Sequence, residues 1–540
     1  MRIRHAIGID ISTQAVTLML ISVSEKDGVP VDLATSSKLI VSSPCAEESC
    51  RRDPLVWLNL IRECISELTA LAPEIRLVES IGVSATLPGT FPVLNDGTIN
   101  PHLVSLYDNT DDVGISRSSL DDELGAAESE TLNRMAPGNM VIGLAHLVKS
   151  CGLDLGGVRK LLLPNTALAY TMLREAGADP DPSRLFADPS QCVISGMYDA
   201  RTAERVPSGV AQLWSALIPK VSTEHLRSLL TPMQPAWRNV LSLDSTPPVR
   251  ELLGLPSLRS FSIGAGDSPL GALALMTRPD TVITVRGSTD SPMIIVDTPK
   301  GRISPREVVL QYPLPTAIGL TDAPWCAVAP TMRSGRVWDW VRDLGGGIEH
   351  DRLEAMAVAA LKRRLRAPED SLEARPLMFY TALGGERAPE WDPNATGIIN
   401  GLLASHDLGD IALAALEGIS RRLRSCIKLT EDRYEMCPPN ILLAGGCARN
   451  ALWNWLTAVH TGKKTYATTF SDASLLGAAM LGYAAEYDGI ESDEAVSSRL
   501  LALSKLPSVR SLIDRTEVHA PDTELAELEE LYAKQVTRTD

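Results

Sequence analysis

HAIGIDISTQAVTLMLISV, residues 5–23, sets two apolar runs around a polar break: AIGID, then STQA, then VTLMLISV. This pattern predicts a β-hairpin with its turn at Ser12 to Gln14, because paired apolar runs around small polar residues favour two strands and a tight turn. The opening recurs further on. FSIGAGDSPLGALALM (261–276) leads into TVITVRGSTDSPMIIVD (281–297), two β-rich runs around Gly, Ser and Thr. A second lobe is therefore expected to start near residue 258, and the repeated opening hints at an old duplication. The stretch before it, SLDSTPPVRELLGLPSL (242–258), carries Pro, Ser and Gly of linker type.

Between the hairpins, PLVWLNLIRECISELTALA (54–72) has helical apolar spacing, and LVESIGVSA (77–85) reads as a buried strand. Residues 408–434 read as a long helix, and 437–459 as strand, glycine turn and helix. DTELAELEELYAKQVTR (522–538) reads as an amphipathic helix packed on one lobe. The fold class is α/β. The expected division is an N-terminal lobe at 1–257, a C-terminal lobe at 258–485 and a helical extension at 486–540.

A chain of 540 residues exceeds what one hydrophobic core usually supports, so two lobes with a cleft between them are expected. Formal charge is -16, and no Lys/Arg-rich run offsets it, so nucleic acid and anionic membranes are not expected partners. No run of about 18 apolar residues occurs, and the amino terminus runs straight into a strand. A cytoplasmic protein is expected. The nine cysteines are scattered without CxxC spacing and read as reduced thiols, mostly in the core.

Four segments carry candidate chemistry. In GIDISTQ, Asp10 ends a strand and Ser12, Thr13 and Gln14 occupy the turn; their hydroxyls and amides suit a phosphate, and the carboxylate suits hydrated Mg²⁺. A plain polar hairpin is the alternative. In GAGDSPLGAL, Asp267 sits among small residues at a strand-to-helix junction, either as a general base reaching a cleft or as a helix cap. In VRGSTDSP, Gly287, Ser288 and Thr289 make a second polar turn, so two loops could clamp one polyphosphate. In ILLAGGCARNALW, Gly445 and Gly446 let a flat ligand lie on bare backbone, with Asn450 able to bond an adenine edge; a close packing turn is the alternative. No GxxxxGK[ST] is present, which disfavours a P-loop enzyme.

Taken in this order, the four segments resemble the FGGY carbohydrate kinases, within the two-lobed actin-like, ribonuclease-H-like ATPase fold with an interlobe cleft. The strongest likeness is ALGGERAPEWDPNATGIINGLLASHDLGDIALAALEGI (382–419), in which GIINGL and its spacing to ALEG match the family's second-lobe signature. The likeness spans roughly residues 6 to 485, and EVHAPDTELAELEELYAK (517–534) resembles the terminal helix of xylulokinase-like members. The resemblance implies an ATP-dependent kinase acting on a small sugar or polyol with Mg²⁺, and dimers are common among similar kinases. It assigns Asp10 and Thr13 to metal and phosphate, Gly287 to Thr289 to the second phosphate loop, Asp267 to the catalytic base and the metal, and Gly445, Gly446 and Asn450 to adenine and ribose. DASLLGAAMLG (472–482) resembles the closing helix beside the nucleotide, which makes Asp472 structural.

The chain departs from that family in its sugar half. Where xylulokinases usually carry Gln-Met-His-Gly, it has Thr86-Leu87-Pro88-Gly89, and where they carry Trp-Asn-Asp-x-Arg, it has Tyr107-Asp108-Asn109-Thr110-Asp111. The sugar-facing His and the Arg are absent, and the first-lobe signature is degraded at NMVIGLAHLVKS (139–150). Thr86, Leu87, Asp108, Asn109 and Asp267 are the expected sugar contacts. STQ in the first turn resembles xylulokinase-type members, so a ketopentose such as xylulose or ribulose is the leading substrate. A tetrulose or polyol, and a sugar- or nucleotide-sensing pseudokinase, are the alternatives.

Overall fold

The computed structural model describes residues 1–12, 15–35, 39–45, 52–107, 109, 120–178, 180–275, 280–301, 307–320, 324–331, 333–485 and 492–539. Thr13, Gln14 and Asp108, three of the expected site residues, lie outside the described residues.

Strands β1 (Arg2–Ile11) and β2 (Ala15–Lys26) are antiparallel with Ile11 opposite Val16, so the polar break is the turn. β3 (Val29–Ala34) and β4 (Ile40–Pro44) extend β2, while β5 (Val78–Ala85) runs parallel to β1 on its other side. The chain reaches β5 through helix Pro54–Leu71, whose start is set by Asp53 accepting from Leu55 N and by Pro54 in the first turn. Trp57, Leu58, Ile61, Ile65 and Leu68 recur at helical spacing and bury against Ile7, Ile9, Leu18, Ile81 and Val83.

β6 (Gly89–Leu94) pairs antiparallel with β7 (Ser105–Leu106) and β8 (Val158–Leu162) in a separate ladder. β9 (Ser260–Phe261) and β10 (Ala265–Gly266) then return to lie parallel on β5. The linker-type stretch 242–258 contains helix Thr246–Leu253, a correction to its expected character. Prolines fall in its first turn, Gly254 closes it at φ 68°, and Val249 and Leu253 are buried. The Pro and Gly that read as linker are helix punctuation.

The second sheet repeats the opening hairpin with β11 (Thr281–Arg286) and β12 (Asp290–Val296). β13 (Leu310–Pro313) and β14 (Trp325–Val328) continue beyond β12. β15 (Met378–Tyr380) and β16 (Ile398–Asn400) form a two-stranded ladder of their own. β17 (Asn440–Ala444) lies parallel to β11, followed by β18 (Lys464–Ala467) and the edge strand β19 (Thr516–Glu517). The sheet order is β13-β14-β12-β11-β17-β18-β19.

The halves meet where helix Ala473–Ala484 lies on the first sheet and on helix Asp267–Leu275. A Cβ on Gly82 would stand 1.9 Å from Ala478 O, and one on Gly477 2.2 Å from Leu270 O, so backbone meets backbone at both contacts. No helix among the described residues is long and apolar enough to cross a membrane. Of the described cysteines, Cys64, Cys192, Cys326 and Cys426 are buried and Cys151 and Cys437 are exposed, so the core placement holds for only some of them.

Candidate active site

The parallel run of β1, β5 and β10 brings three strand ends to one edge, the usual ligand side of an open parallel sheet. Asp10 stands opposite Ser84, and Gly266 opposite Ala85, so Asp10 and Asp267 emerge together. Ser84 Oγ donates to Asp10 Oδ1 at 2.5 Å. Burial pushes the Asp10 carboxyl up to about 7 against that hydrogen bond, and the negative charges of Asp267 and, more weakly, Asp472 add to the rise. Ser12 folds back on its own turn, its Oγ donating to Ala15 O at 3.0 Å, and Thr86 N donates to Ile11 O at 3.3 Å beside it.

Asp267 opens its helix and uses one oxygen only. Oδ1 accepts from Ser268 N at 2.6 Å and from Ser268 Oγ at 3.3 Å, while Oδ2 has no partner among the described residues. Burial pushes its carboxyl up to about 6, and the Ser268 hydrogen bonds draw it partly back. These bonds come from the next residue, not from the second or third N–H that a helix cap holds, and they leave Oδ2 open. Asp472 precedes helix Ala473–Ala484 without capping it, and its carboxylate accepts from Ser471 Oγ at 2.8 Å.

Leu87 lies over Gly266: a Cβ there would stand 1.4 Å from Leu87 Cδ2, so the glycine makes room for the leucine beside Asp267. Gly89 pairs with Leu106 across β6 and β7, which brings the segment ending at Gly89 beside the one that leads to Tyr107. Asn109 is half-buried and spends its amide on Pro137 O at 3.3 Å and Ser105 Oγ at 3.4 Å. Arg387 reaches this corner from the second half, with Nη2 3.5 Å from Tyr107 O and its guanidinium 5.9 Å from the Tyr107 ring.

On the second sheet, the ends of parallel β11 and β17 carry the other expected residues. Gly287 N donates to Thr289 O at 2.9 Å, and the start of helix Gly335–Leu344 braces the turn, Ser334 N donating to Ser288 O at 2.8 Å and Gly335 N to Gly287 O at 3.0 Å. Ser288 is exposed. Gly445 has φ 92°, and a Cβ there would meet Arg286 O at 2.5 Å, whereas Gly446 is exposed with open space around it. Asn450 Oδ1 accepts from Trp453 N at 2.7 Å and so caps helix Ala451–Thr461, which leaves its Nδ2 as the group free to meet a ligand.

Several residues here were missed by the sequence reading. Arg286, 0% exposed, donates to Asp290 Oδ2 at 3.2 Å, Asn454 Oδ1 at 3.0 Å and Thr457 Oγ1 at 2.5 Å, and stacks on Trp453 at 4.6 Å. It pins the Gly287 turn and the Gly445 loop to one helix. The signal for it was a lone charge at the end of a mostly apolar strand, just before the Gly287 turn. Tyr312 of β13 reaches Ser268 and feels the Asp267 charge, and Gln191, 1% exposed, has neither amide atom partnered among the described residues. Neither carried a sequence signal.

Residues 291–486 match the FGGY family of carbohydrate kinases, C-terminal domain. A gluconokinase of Bacillus subtilis (strain 168) is 27% identical over 267 residues, covering 47% of this chain and 48% of that protein, so the match spans about half the relative's length. A xylulose kinase of Klebsiella pneumoniae is 24% identical over 539 residues, covering 96% of this chain and 97% of that one. In fold, the ligand-bound xylulose kinase from Lactobacillus acidophilus superposes with a TM-score of 0.73 at 18% identity, covering 99% of this chain and 97% of that chain. The two-lobed actin-like α/β fold is thereby established for this protein.

Proposed function

We propose that this chain, whose residues 291–486 match the C-terminal domain of the FGGY family of carbohydrate kinases, transfers the terminal phosphoryl group of ATP to a hydroxyl of a small sugar in the cytoplasm. The observation that carries this reading is Asp267, whose Oδ1 is fixed while its Oδ2 is unpartnered among the described residues and whose carboxyl burial pushes up to about 6. A base so held accepts the proton of the attacking hydroxyl as the new O–P bond forms and the bond to ADP breaks.

Asp10 supports the same reading, because its desolvation with no cation among the described residues beside it suits a carboxylate that meets one on ligand binding. Among the described residues no cluster of three or more His, Cys, Asp or Glu could hold a metal directly, so Asp10 and Asp267 fit a hydrated ion held through water. Mg²⁺ bound there would neutralise phosphate oxygens. Ser12, Thr13 and Gln14 in one turn and Gly287, Ser288 and Thr289 in the other would grip the polyphosphate, with Gly445, Gly446 and Asn450 at the adenosine. Thr86, Leu87, Asp108 and Asn109 would face the sugar.

A ketopentose is the leading acceptor, on the xylulokinase-like first turn and the full-length likeness to a xylulose kinase. D-xylulose itself should be served less well than another small ketose or polyol, since Leu87, which packs on Gly266, and Pro88 offer no side-chain hydrogen bond where a His would. A sugar acid is the second reading, favoured by the gluconokinase likeness and by Arg387 at Tyr107. A coupled ADP-release screen over D-xylulose, D-ribulose, erythritol, glycerol and D-gluconate decides among them. ADP release with none of these, alongside a melting-temperature rise in Mg-ATP, would replace the kinase reading by a nucleotide-binding pseudokinase.

A further inference from the structure

Away from the strand ends just described, β15, β16 and the long helix Leu408–Tyr434 enclose a cavity of about 450 Å³, within the range of small-molecule sites. Phe379 lines it, and a Cβ on Gly418 would stand 2.2 Å from Phe379 O, so helix and strand touch there. Two arginines of successive positions line it. Arg422 is 7% exposed; its Nη1 stands 2.5 Å from Glu386 Oε2, its guanidinium lies 5.4 Å from the Tyr380 ring, and its Nη2 has no hydrogen-bond partner. The Nη2 of Arg421 is likewise buried and unpartnered.

Buried guanidinium donors without acceptors are costly, and one ion pair to Glu386 leaves two donor groups unanswered on the wall of a cavity. Both arginines line the cavity, alongside the acids Glu386 and Glu390. Tyr380, 48% exposed, and Asn400 on the neighbouring strand add a ring face and an amide at the mouth. We propose that this cavity binds a small organic oxyanion, of the phosphate-monoester or carboxylate class, through the Nη2 groups of Arg421 and Arg422. The planar donors suit such an acceptor, and the Tyr380 ring suits the carbon skeleton attached to it. The site is separate from Asp267 and both phosphate turns, and it stands whichever sugar the chain phosphorylates. Its wall includes Glu386, next to the Arg387 that rests on Tyr107.

The test is calorimetric titration of the full chain with inorganic phosphate, glycerol 3-phosphate and citrate, each with and without saturating Mg-ATP. Saturable binding that survives Mg-ATP and weakens about tenfold or more in Arg421→Gln supports the proposal, and the strongest of the three probes distinguishes a free phosphate from an ester or a carboxylate. Arg421→Gln is chosen because Arg422 holds Glu386, and Tyr380→Ser at the exposed mouth gives a second variant that should also weaken binding. Three results would overturn it: no saturable binding at millimolar probe, binding displaced by Mg-ATP, or binding unchanged in both variants. Dissociation of a dimer by Tyr380→Ser in size-exclusion chromatography, without any probe binding, would also overturn it and mark the face as a contact between copies.

Discussion

Two buried carboxylate environments in this molecule are opposites. Glu417, 1% exposed on helix Leu408–Tyr434, accepts from Arg364 Nη1 at 3.0 Å and Nη2 at 2.6 Å and from Tyr532 Oη at 2.7 Å, with His460 Nε2 3.0 Å from the same hydroxyl. Burial alone would raise its pKa, but the charge and hydrogen bonds of Arg364 reverse that and hold it at about 2. Asp10 and Asp267 are pushed the other way, to about 7 and about 6, with serines as their named hydrogen-bond donors. A fold that supplies an arginine to one desolvated acid and, among the described residues, none to two partly buried others uses them differently: the first ties together helices His350–Arg366, Leu408–Tyr434 and Thr523–Thr539, and on the proposed reading the others await a proton or a ligand cation.

The strongest challenge to this contrast is Asp267→Asn. Asn can still accept from Ser268 N, so the helix start is kept, but it cannot take up a proton. Sugar phosphorylation should fall about 10² to 10⁴-fold, the usual worth of a general base, while Mg-ATP binding and melting temperature hold. Turnover near that of the wild type in steady-state assays would leave Asp267 with a structural role alone. Glu417→Gln should do the reverse: the loss of a buried pair costs about 3–5 kcal/mol in denaturant unfolding, with turnover per folded molecule unchanged. Equal stability in that variant would break the contrast from the structural side.

The two environments also carry opposite pH signatures. Asp10 and Asp267 have raised pKa values, so their contribution to stability is present below about 3.8 and is lost as pH rises through about 6 to 7. Glu417 is depressed, so its contribution is present above about 4.5 and is lost as pH falls toward about 2. Metal-free unfolding between pH 4.5 and 7 should therefore show Asp10→Asn gaining on the wild type as pH rises, while kcat/KM of the wild type climbs with pH through about 6 as Asp267 loses its proton. A wild-type kcat/KM that is flat from pH 5 to 8 would contradict the base assignment. The smallest effect is expected at Asn450, where Asp keeps the cap on Trp453 N but removes the Nδ2 donor. Asn450→Asp should weaken Mg-ATP binding by about 1 kcal/mol, roughly fivefold, without lowering the melting temperature.

Much of the fold was legible in the chain. The two hairpins at 5–23 and 281–297, the helix at 54–72 and the strand, glycine turn and helix at 437–459 follow from apolar period and turn chemistry, which act over a few residues. Asp10 could be singled out because it falls at a strand's end before a polar turn, and Asp267 because it sits among small residues where a strand gives way to a helix. The helix at 246–253 was read as linker because Pro and Gly punctuate both, and only the burial of Val249 and Leu253 separates the cases.

What the residues alone determined, then, is the set of local elements and the acids and glycines at their ends. Tertiary structure decided which of those ends meet. The pairing of Gly89 with Leu106, the seat of Leu87 on Gly266, the Arg286 pin to Asn454 and Thr457, and the Arg364, Glu417 and Tyr532 network join positions from 17 to 179 residues apart. Such contacts depend on how sheets and helices dock, and the same docking decides which buried acid receives a cation and which is left open.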